Sequence, residues 1–140
     1  MADPTPSVLF VCVKNGGKSQ MAAGLMRKIA GDDMRVYSAG TKPGTTINAL
    51  SAESLAEVGV YISAEMPKPI DPVLLRDVDL VVTLGREAHV DPVEGPRFEN
   101  WDTDEPFERG IDGIERMRLI REDIAARIRD LLDRLDGVTS

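Results

Sequence analysis

The chain has 140 residues, 42% of them hydrophobic and 29% charged, with one cysteine and a formal net charge of −7 at pH 7. That size and composition suit one globular domain, while a lone Cys leaves no internal disulfide framework and no cysteine-rich zinc site, and the acidic balance speaks against a general nucleic-acid binder, which needs clustered Lys and Arg. Apolar runs such as Val8–Val13 fall far short of the roughly 20 residues of a membrane span, and Met1–Ser7 has neither the cationic start nor the apolar segment of a secretory leader. The expectation is one cytoplasmic domain over residues 1–140, residues 1–6 a flexible N-terminus, with no membrane, nucleic-acid or metal partner.

Ser7–Val13 (SVLFVCV) is a continuous apolar, β-branched run, as expected of a central parallel strand covered on both faces. Lys14–Gly17 interrupts it, and Ser19–Ala30 then reads as a helix with Ala22, Leu25, Met26 and Ile29 on one side and Gly31 as its stop. Met34–Ala39 reads as a strand ended by Gly40. Asn48–Val58 reads as a second helix, with Leu50, Leu55 and Val58 inward and Gly59 after it. Pro67–Asp71 is a proline-punctuated loop before a short helix near Val73–Arg76, and Leu80–Leu84 (LVVTL) is another buried strand, closed by Gly85. Residues 86–112 are polar and rich in Pro and Gly, with at most a short strand near Phe98–Trp101; such a long irregular stretch in a compact domain is more often functional than decorative. Ile114–Leu135 is the clearest helix, its apolar positions Ile114, Met117, Ile120, Ile124, Ile128, Leu131 and Leu135 stepping by three or four. Strand–helix alternation predicts an α/β fold of three layers, α-β-α, with a doubly wound sheet of about four parallel strands.

The charges are not evenly spread. From Pro4 to Gly31 there is no Asp or Glu, only Lys14, Lys18, Arg27 and Lys28, whereas Glu99–Glu115 holds seven acids against Arg109 alone. Either run would serve as solvated surface, but the basic one coincides with the only cysteine and a glycine pair, in Cys12-Val13-Lys14-Asn15-Gly16-Gly17-Lys18-Ser19. Ligands of open α/β sheets sit where a strand turns into its helix, and glycines there let consecutive N–H groups form an anion nest, assisted by the helix dipole and by Lys18. One use of such a cradle is nucleotide binding, since Gly17-Lys18-Ser19 ends like a Walker pattern. The first glycine of that pattern falls on Cys12, however, and Leu80–Leu84 ends in Gly85 where a magnesium-binding Asp would be expected; Asp79 lies at the wrong end. The other use is nucleophilic catalysis. Only the thiolate of a cysteine attacks, and the nest, Lys18 and the Ser19 hydroxyl favour it; the same donors stabilise an oxyanion, so one loop activates Cys12 and binds its substrate. The bland alternative is a buried inert Cys at a strand end.

CVKNGGKSQMAAG resembles the C-x5-R-S loop of the low-molecular-weight phosphotyrosine phosphatase fold, and more closely its arsenate reductase branch. Ser38-Ala39-Gly40-Thr41 is similar to the motif after the second strand, Asn48 with Glu57-Val58-Gly59 to the second-helix pattern, and Trp101 followed by Asp104-Glu105-Pro106 to the W-x-x-D-D-P acid loop. The similarity runs over about residues 7–135. It implies Cys12 as nucleophile, Val13, Lys14, Asn15, Gly16, Gly17 and Lys18 as the oxyanion loop (a P-loop) with Asn15 left-handed, Ser19 as the hydroxyl that steadies the thiolate, and Glu105, with Asp104 as the other candidate, as general acid. Lys18 stands where the family carries Arg, and a point charge replaces a two-pronged grip; Glu105 stands where it carries Asp and is one methylene longer. Gln20 favours the arsenate reductases over the phosphatases, and Thr45–Asn48 lacks the aromatic wall that holds a phenyl ring.

Thioredoxin-coupled members of that branch carry two further cysteines after the strand equivalent to Leu80–Leu84, where this chain reads Gly85-Arg86-Glu87-Ala88-His89-Val90-Asp91. The resemblance is therefore strongest to the single-cysteine, mycothiol-dependent class, the arsenate–mycothiol transferases. It implies arsenate (or phosphate or sulfate as its mimic) as substrate, no tightly bound cofactor, mycothiol as co-substrate and a mycoredoxin-type reductant, in arsenic detoxification. The alternatives are a phosphatase of the same fold and a catalytically weak oxyanion-binding or regulatory module. Elsewhere, His89 reads as a surface residue, the six Met as core filler and Trp101 as a packing anchor. Arg116, Arg118, Arg121, Arg127, Arg129 and Arg134 read as a solvated helix face with i,i+4 pairs.

Overall fold

The computed structural model describes residues 5–139. Within them, β1 (Ser7–Cys12), α1 (Lys18–Ala30), β2 (Arg35–Gly40), α2 (Ala49–Ala56), α3 (Pro72–Asp77), β3 (Leu80–Leu84), β4 (Arg97–Trp101) and α4 (Gly113–Thr139) follow in chain order, with short 3-10 turns at Gly31–Asp33 and Pro106–Arg109. The four strands form one parallel sheet in the order β2-β1-β3-β4. Residues 1–4 of the stretch expected to be flexible lie outside the described residues; Pro6 already accepts a hydrogen bond from the Arg35 N–H at 2.9 Å.

The apolar run in β1 is continuous because the strand is central and wholly buried. Its side chains divide by the period of two that a strand imposes. Val8 and Phe10 join α1, α2 and α4 in the larger core cluster, while Leu9 and Val11 pack on the other face with Val78, Val81, Leu74 and Leu75 around α3. That division makes the three layers. Trp101 anchors the end of β4 as expected: its ring meets Phe10 at 5.7 Å between centroids and 54° between planes, and its Nε1–H donates to Glu99 at 2.8 Å.

The second helix is shorter than its apolar pattern suggested. Asn48 is its N-cap, accepting from the Ser51 N–H at 2.9 Å. After Ala56 the chain turns through Gly59 at φ +79°, with the Val58 and Val60 N–H groups both returning to the Leu55 carbonyl. The face the helix buries carries Ser51, Ser54 and Leu55, so Leu50 in the first turn is 37% exposed rather than inward. Among the methionines, Met21, Met26, Met34 and Met117 are core, Met1 lies outside the described residues, and Met66 is a correction. Met66 is 70% exposed in the loop before Pro67, where its carbonyl, not its side chain, is used, accepting from Gln20 Nε2 at 3.3 Å. His89 is exposed and paired with Asp91 at 2.9 Å.

The arginines of α4 also need correcting. Arg127 and Arg134 do make i,i+4 pairs with Asp123 and Asp130, but most of the set reaches across to other elements. Arg118 and Arg121 converge on Glu57 at the C-terminal cap of α2, at 2.6 Å and 2.8 Å, Arg134 holds Glu99 at 2.8 Å, and Arg127 donates to the Asp102 carbonyl at 2.9 Å. Hydrogen bonds from Arg118 and Arg121 lower the Glu57 pKa from 4.5 to about 2 against the opposing effect of desolvation. A depressed carboxylate stabilises the fold fully above its unfolded pKa and loses that contribution as pH falls through the folded value. Glu57→Gln is accordingly expected to be less stable than the parent in denaturant titrations at pH 7, with the gap narrowing between pH 4.5 and about 2. A gap that stays constant over that window would mean that Glu57 contributes by packing alone.

Candidate active site

β1 is where the sheet changes direction: the chain passes to β2 on one side and later to β3 on the other. Crevices at such switch points open beyond the carboxyl ends of the strands, and here that crevice is a cavity of about 870 Å³. Cys12, Val13, Lys14, Gly16, Gly17 and Lys18 form its floor; Leu84, Gly85 and Arg86 come from the end of β3. Asp79 lies at the opposite end of β3, receiving the Ser7 N–H at 2.8 Å, which removes it from any phosphate or magnesium role in this cavity.

The loop after β1 is shaped by where its carbonyls go. Those of Cys12, Val13, Lys14 and Gly16 accept from the N–H groups of Thr41, Lys42, Gly44 and Asn48 at 3.0, 2.8, 2.9 and 2.7 Å. In a trans peptide the C=O and N–H point in opposite directions, and the described chain has no cis bond. With four carbonyls tied back to segment 41–48, the N–H groups of Val13, Lys14, Asn15 and Gly17 face the other way, as an anion nest requires. The Asn15 N–H shows the result directly, donating to Cys12 Sγ at 3.2 Å. Close approach makes two glycines necessary. A Cβ on Gly16 would stand 2.8 Å from the Thr46 oxygen, and one on Gly40 would stand 2.6 Å from the Val13 oxygen.

A directed chain of hydrogen bonds ends on the sulfur. Asn15, at φ +54°, is in the left-handed region and fully buried. The Lys68 backbone N–H donates to its Oδ1 at 3.0 Å, and Gln20 Nε2 donates to the same oxygen at 3.1 Å. A backbone donor fixes which end of the amide is oxygen, so Nδ2 is the end that donates to Ser19 Oγ, at 2.7 Å. Having accepted there, the Ser19 hydroxyl has its own hydrogen available for Cys12 Sγ at 2.9 Å. The sulfur thus accepts the Asn15 N–H and shares a second hydrogen bond with the Ser19 hydroxyl.

The acid loop closes the opposite wall. Glu105 lines the cavity and Asp104 does not. Arg109 grips the Asp104 carboxylate at 2.7 and 3.1 Å, and the Asp104 N–H donates to Asp123 at 2.8 Å. Lys18 lines the cavity together with Cys12, and its ammonium forms an ion pair with Glu105 Oε1. The other oxygen, Oε2, takes Arg116 Nη2 at 3.3 Å. Burial works to raise the Glu105 pKa, but the bonds and charges of Lys18 and Arg116 outweigh it and hold the carboxyl below its ordinary range.

Three residues of this wall escape the sequence reading. Arg116 reads from its helical position as solvated surface, Phe107 carries no motif, and the buried Thr103 Oγ1 has no hydrogen-bond partner among the described residues. A signal existed for Arg116: it stands four residues before the buried Ile120, on the flank of the apolar stripe and in the first turn after the acid loop. Among the described residues no three His, Cys, Asp or Glu side chains converge as a metal site, and no helix is long and apolar enough to cross a membrane.

Residues 7–139 match the family model described as low molecular weight phosphotyrosine protein phosphatase. An arsenate reductase of Staphylococcus saprophyticus is 35% identical over 130 residues, covering 91% of this chain and 96% of that one. A thioredoxin-dependent arsenate reductase of Corynebacterium glutamicum superposes with a TM-score of 0.81 at 36% identity; it covers 99% of this chain, which spans only 65% of that longer one. A solved arsenate reductase in a phosphate-binding state gives a TM-score of 0.80 at 27% identity, over 92% of this chain and 98% of that one.

Proposed function

The chain belongs to the low molecular weight phosphotyrosine protein phosphatase family, and from that premise we propose that it is a cytoplasmic arsenate reductase whose single thiol, Cys12, hands arsenic to an external small thiol, mycothiol. The observation that carries the reading is the Cys12 site itself. A sulfur that accepts the Asn15 N–H and is hydrogen-bonded to the Ser19 hydroxyl faces a loop of inward N–H groups and an acid opposite, and relatives matched over most of its length are arsenate reductases. The phosphate-binding state of one structural neighbour supports a tetrahedral oxyanion as the ligand of such a loop.

In the first step the Cys12 sulfur bonds to arsenic and one arsenic–oxygen bond breaks. Thiol and hydrogen arsenate give the thio-arsenate adduct and water, so two protons leave on the departing oxygen, one from the thiol and one from the oxyanion. Glu105 carries the thiol's proton to it. Arsenic stays pentavalent here. Mycothiol next displaces Cys12 on arsenic, regenerating the thiol. A mycoredoxin-type thiol then attacks the mycothiol sulfur; arsenic leaves with two electrons as arsenite, and the two thiols are oxidised to a mixed disulfide. Two features support an outside thiol: Cys12 is the only cysteine of these 140 residues, and a cavity of about 870 Å³ is of the size that holds a small organic molecule rather than an oxyanion alone.

Arsenate turnover compared across mycothiol with its oxidoreductase, glutathione, and thioredoxin tests this reading. The expected result is turnover with the first pair, well above the other two. Turnover with thioredoxin alone would overturn the small-thiol step, as the thioredoxin dependence of the Corynebacterium neighbour makes worth checking. Vigorous aryl phosphate hydrolysis without arsenate reduction would replace the reductase by a phosphatase.

A further inference from the structure

We propose that Arg116 is a positioning residue for Glu105: it keeps one carboxylate oxygen fixed in the cavity while the bound oxyanion draws Lys18 away from the other. The inference rests on the reading of Glu105 as the proton carrier given above. In the resting site the two cations divide the carboxylate between them, Lys18 on Oε1 and Arg116 on Oε2. They come from opposite walls and are not equivalent. Lys18 is the first residue of α1, at the end of the loop that holds the oxyanion, and its ammonium is a compact charge on a flexible stem that turns readily to a new partner.

Arg116 is tethered from a second side. Its guanidinium lies 5.4 Å from the centroid of the Phe107 ring, a cation–π contact within the acid loop itself. Its Nε is buried without a hydrogen-bond partner among the described residues, so the group is held by packing and by Glu105, not by a competing carboxylate. The other charges of this wall are already engaged: Arg86 with Asp102 at 3.0 Å and Glu108 at 4.0 Å, and Arg109 with Asp104 at 2.7 Å. Among the described residues Glu105 therefore has these two cations as its ion-pair partners, one exchangeable and one fixed.

The arrangement resolves a difficulty in the chemistry. A carboxyl kept ionised by two cations is a poor acid and repels an incoming anion once unpaired. An oxyanion that attracts Lys18 removes one of the two influences that keep Glu105 ionised, and burial then works to raise its pKa. Glu105 can take up the proton released by the thiol and deliver it to the departing oxygen. Arg116, remaining on Oε2, prevents the freed side chain from swinging out of the cavity. The acid is armed only when substrate is present.

Arg116→Met, Arg116→Lys, Glu105→Gln and the Arg116→Met/Glu105→Gln double variant test this, each checked for folding by thermal melt, with steady-state arsenate kinetics over a range of pH. Arg116→Met is expected to lower kcat about 10- to 100-fold, the scale of a misplaced reacting group, with KM for arsenate within about two-fold. Its pH limb governed by Glu105 moves to higher pH, because one of the cations that lower that pKa is gone. Arg116→Lys recovers part of kcat, and the double variant is no worse than Glu105→Gln alone, as expected of residues acting as one unit. If Glu105→Gln leaves kcat unchanged, the proton-carrier reading fails and the positioning role falls with it. If Glu105→Gln is impaired but Arg116→Met is silent, raises only KM, or multiplies with Glu105→Gln, the carrier stands and the role of Arg116 is overturned.

Discussion

Cys12→Ser is expected to abolish arsenate turnover, with a loss on the order of ten-thousand-fold or more, the scale seen when a covalent nucleophile is removed, while the melting temperature is expected to stay close to that of the parent. A hydroxyl is a far weaker nucleophile than a thiolate at neutral pH. The exchange is nearly isosteric, and Cys12 is a buried end-of-strand residue whose backbone, not its side chain, closes the sheet, through the register with Gly40. Phosphate binding, followed by calorimetry, is expected to survive in the variant, because the loop N–H groups are positioned by the carbonyl bonds to segment 41–48 and not by the sulfur. Loss of both activity and phosphate binding would instead show that the sulfur shapes the loop, and retained activity would remove Cys12 from the chemistry.

Lys18→Met comes second, with an expected fall in kcat/KM for arsenate of about a hundred- to thousand-fold, the cost of deleting one oxyanion donor from a preorganised site. Two effects combine. The loop loses its side-chain cation, leaving the N–H groups to bind the oxyanion, and Glu105 loses the partner of its Oε1. Lys18→Arg separates them, since it keeps the charge and adds a second prong; it retains most arsenate turnover and improves aryl phosphate hydrolysis. Near-normal kinetics in Lys18→Met would mean that the N–H groups suffice and that the ion pair with Glu105 is structural.

Much of this was legible in the sequence because it is local. β1 and β3 declare themselves through β-branched runs that only a strand buried on both faces tolerates, and LVVTL is the observed strand at both ends. The loop was legible through its resemblance to a known oxyanion loop, which implied a left-handed Asn15, and Asn15 does take that conformation. What periodicity does not reveal is which groups face each other across a groove. Lys18 and Glu105 are 87 positions apart. The resemblance brought their two loops to one site, but the ion pair itself follows from how the end of β1 and the loop after β4 meet in the fold. Arg116 and Arg118 were misjudged for the same reason. Helical spacing separates core from flank, but a flank against α2 or the acid loop carries tertiary ion pairs, as Glu57 and Glu105 show. Leu50 differs for a local reason: the helix turns the face of Ser51, Ser54 and Leu55 inward, which leaves Leu50 beside that face rather than on it.

The central claim is that one cysteine and an external small thiol suffice to move arsenic. Mass spectrometry of the purified chain turning over arsenate with mycothiol, and with no protein reductant present, tests it most directly by counting the arsenic–mycothiol conjugate formed per enzyme. Many equivalents per Cys12, and none with Cys12→Ser, are predicted. Absence of the conjugate, with arsenate consumed only once thioredoxin is added, would contradict it.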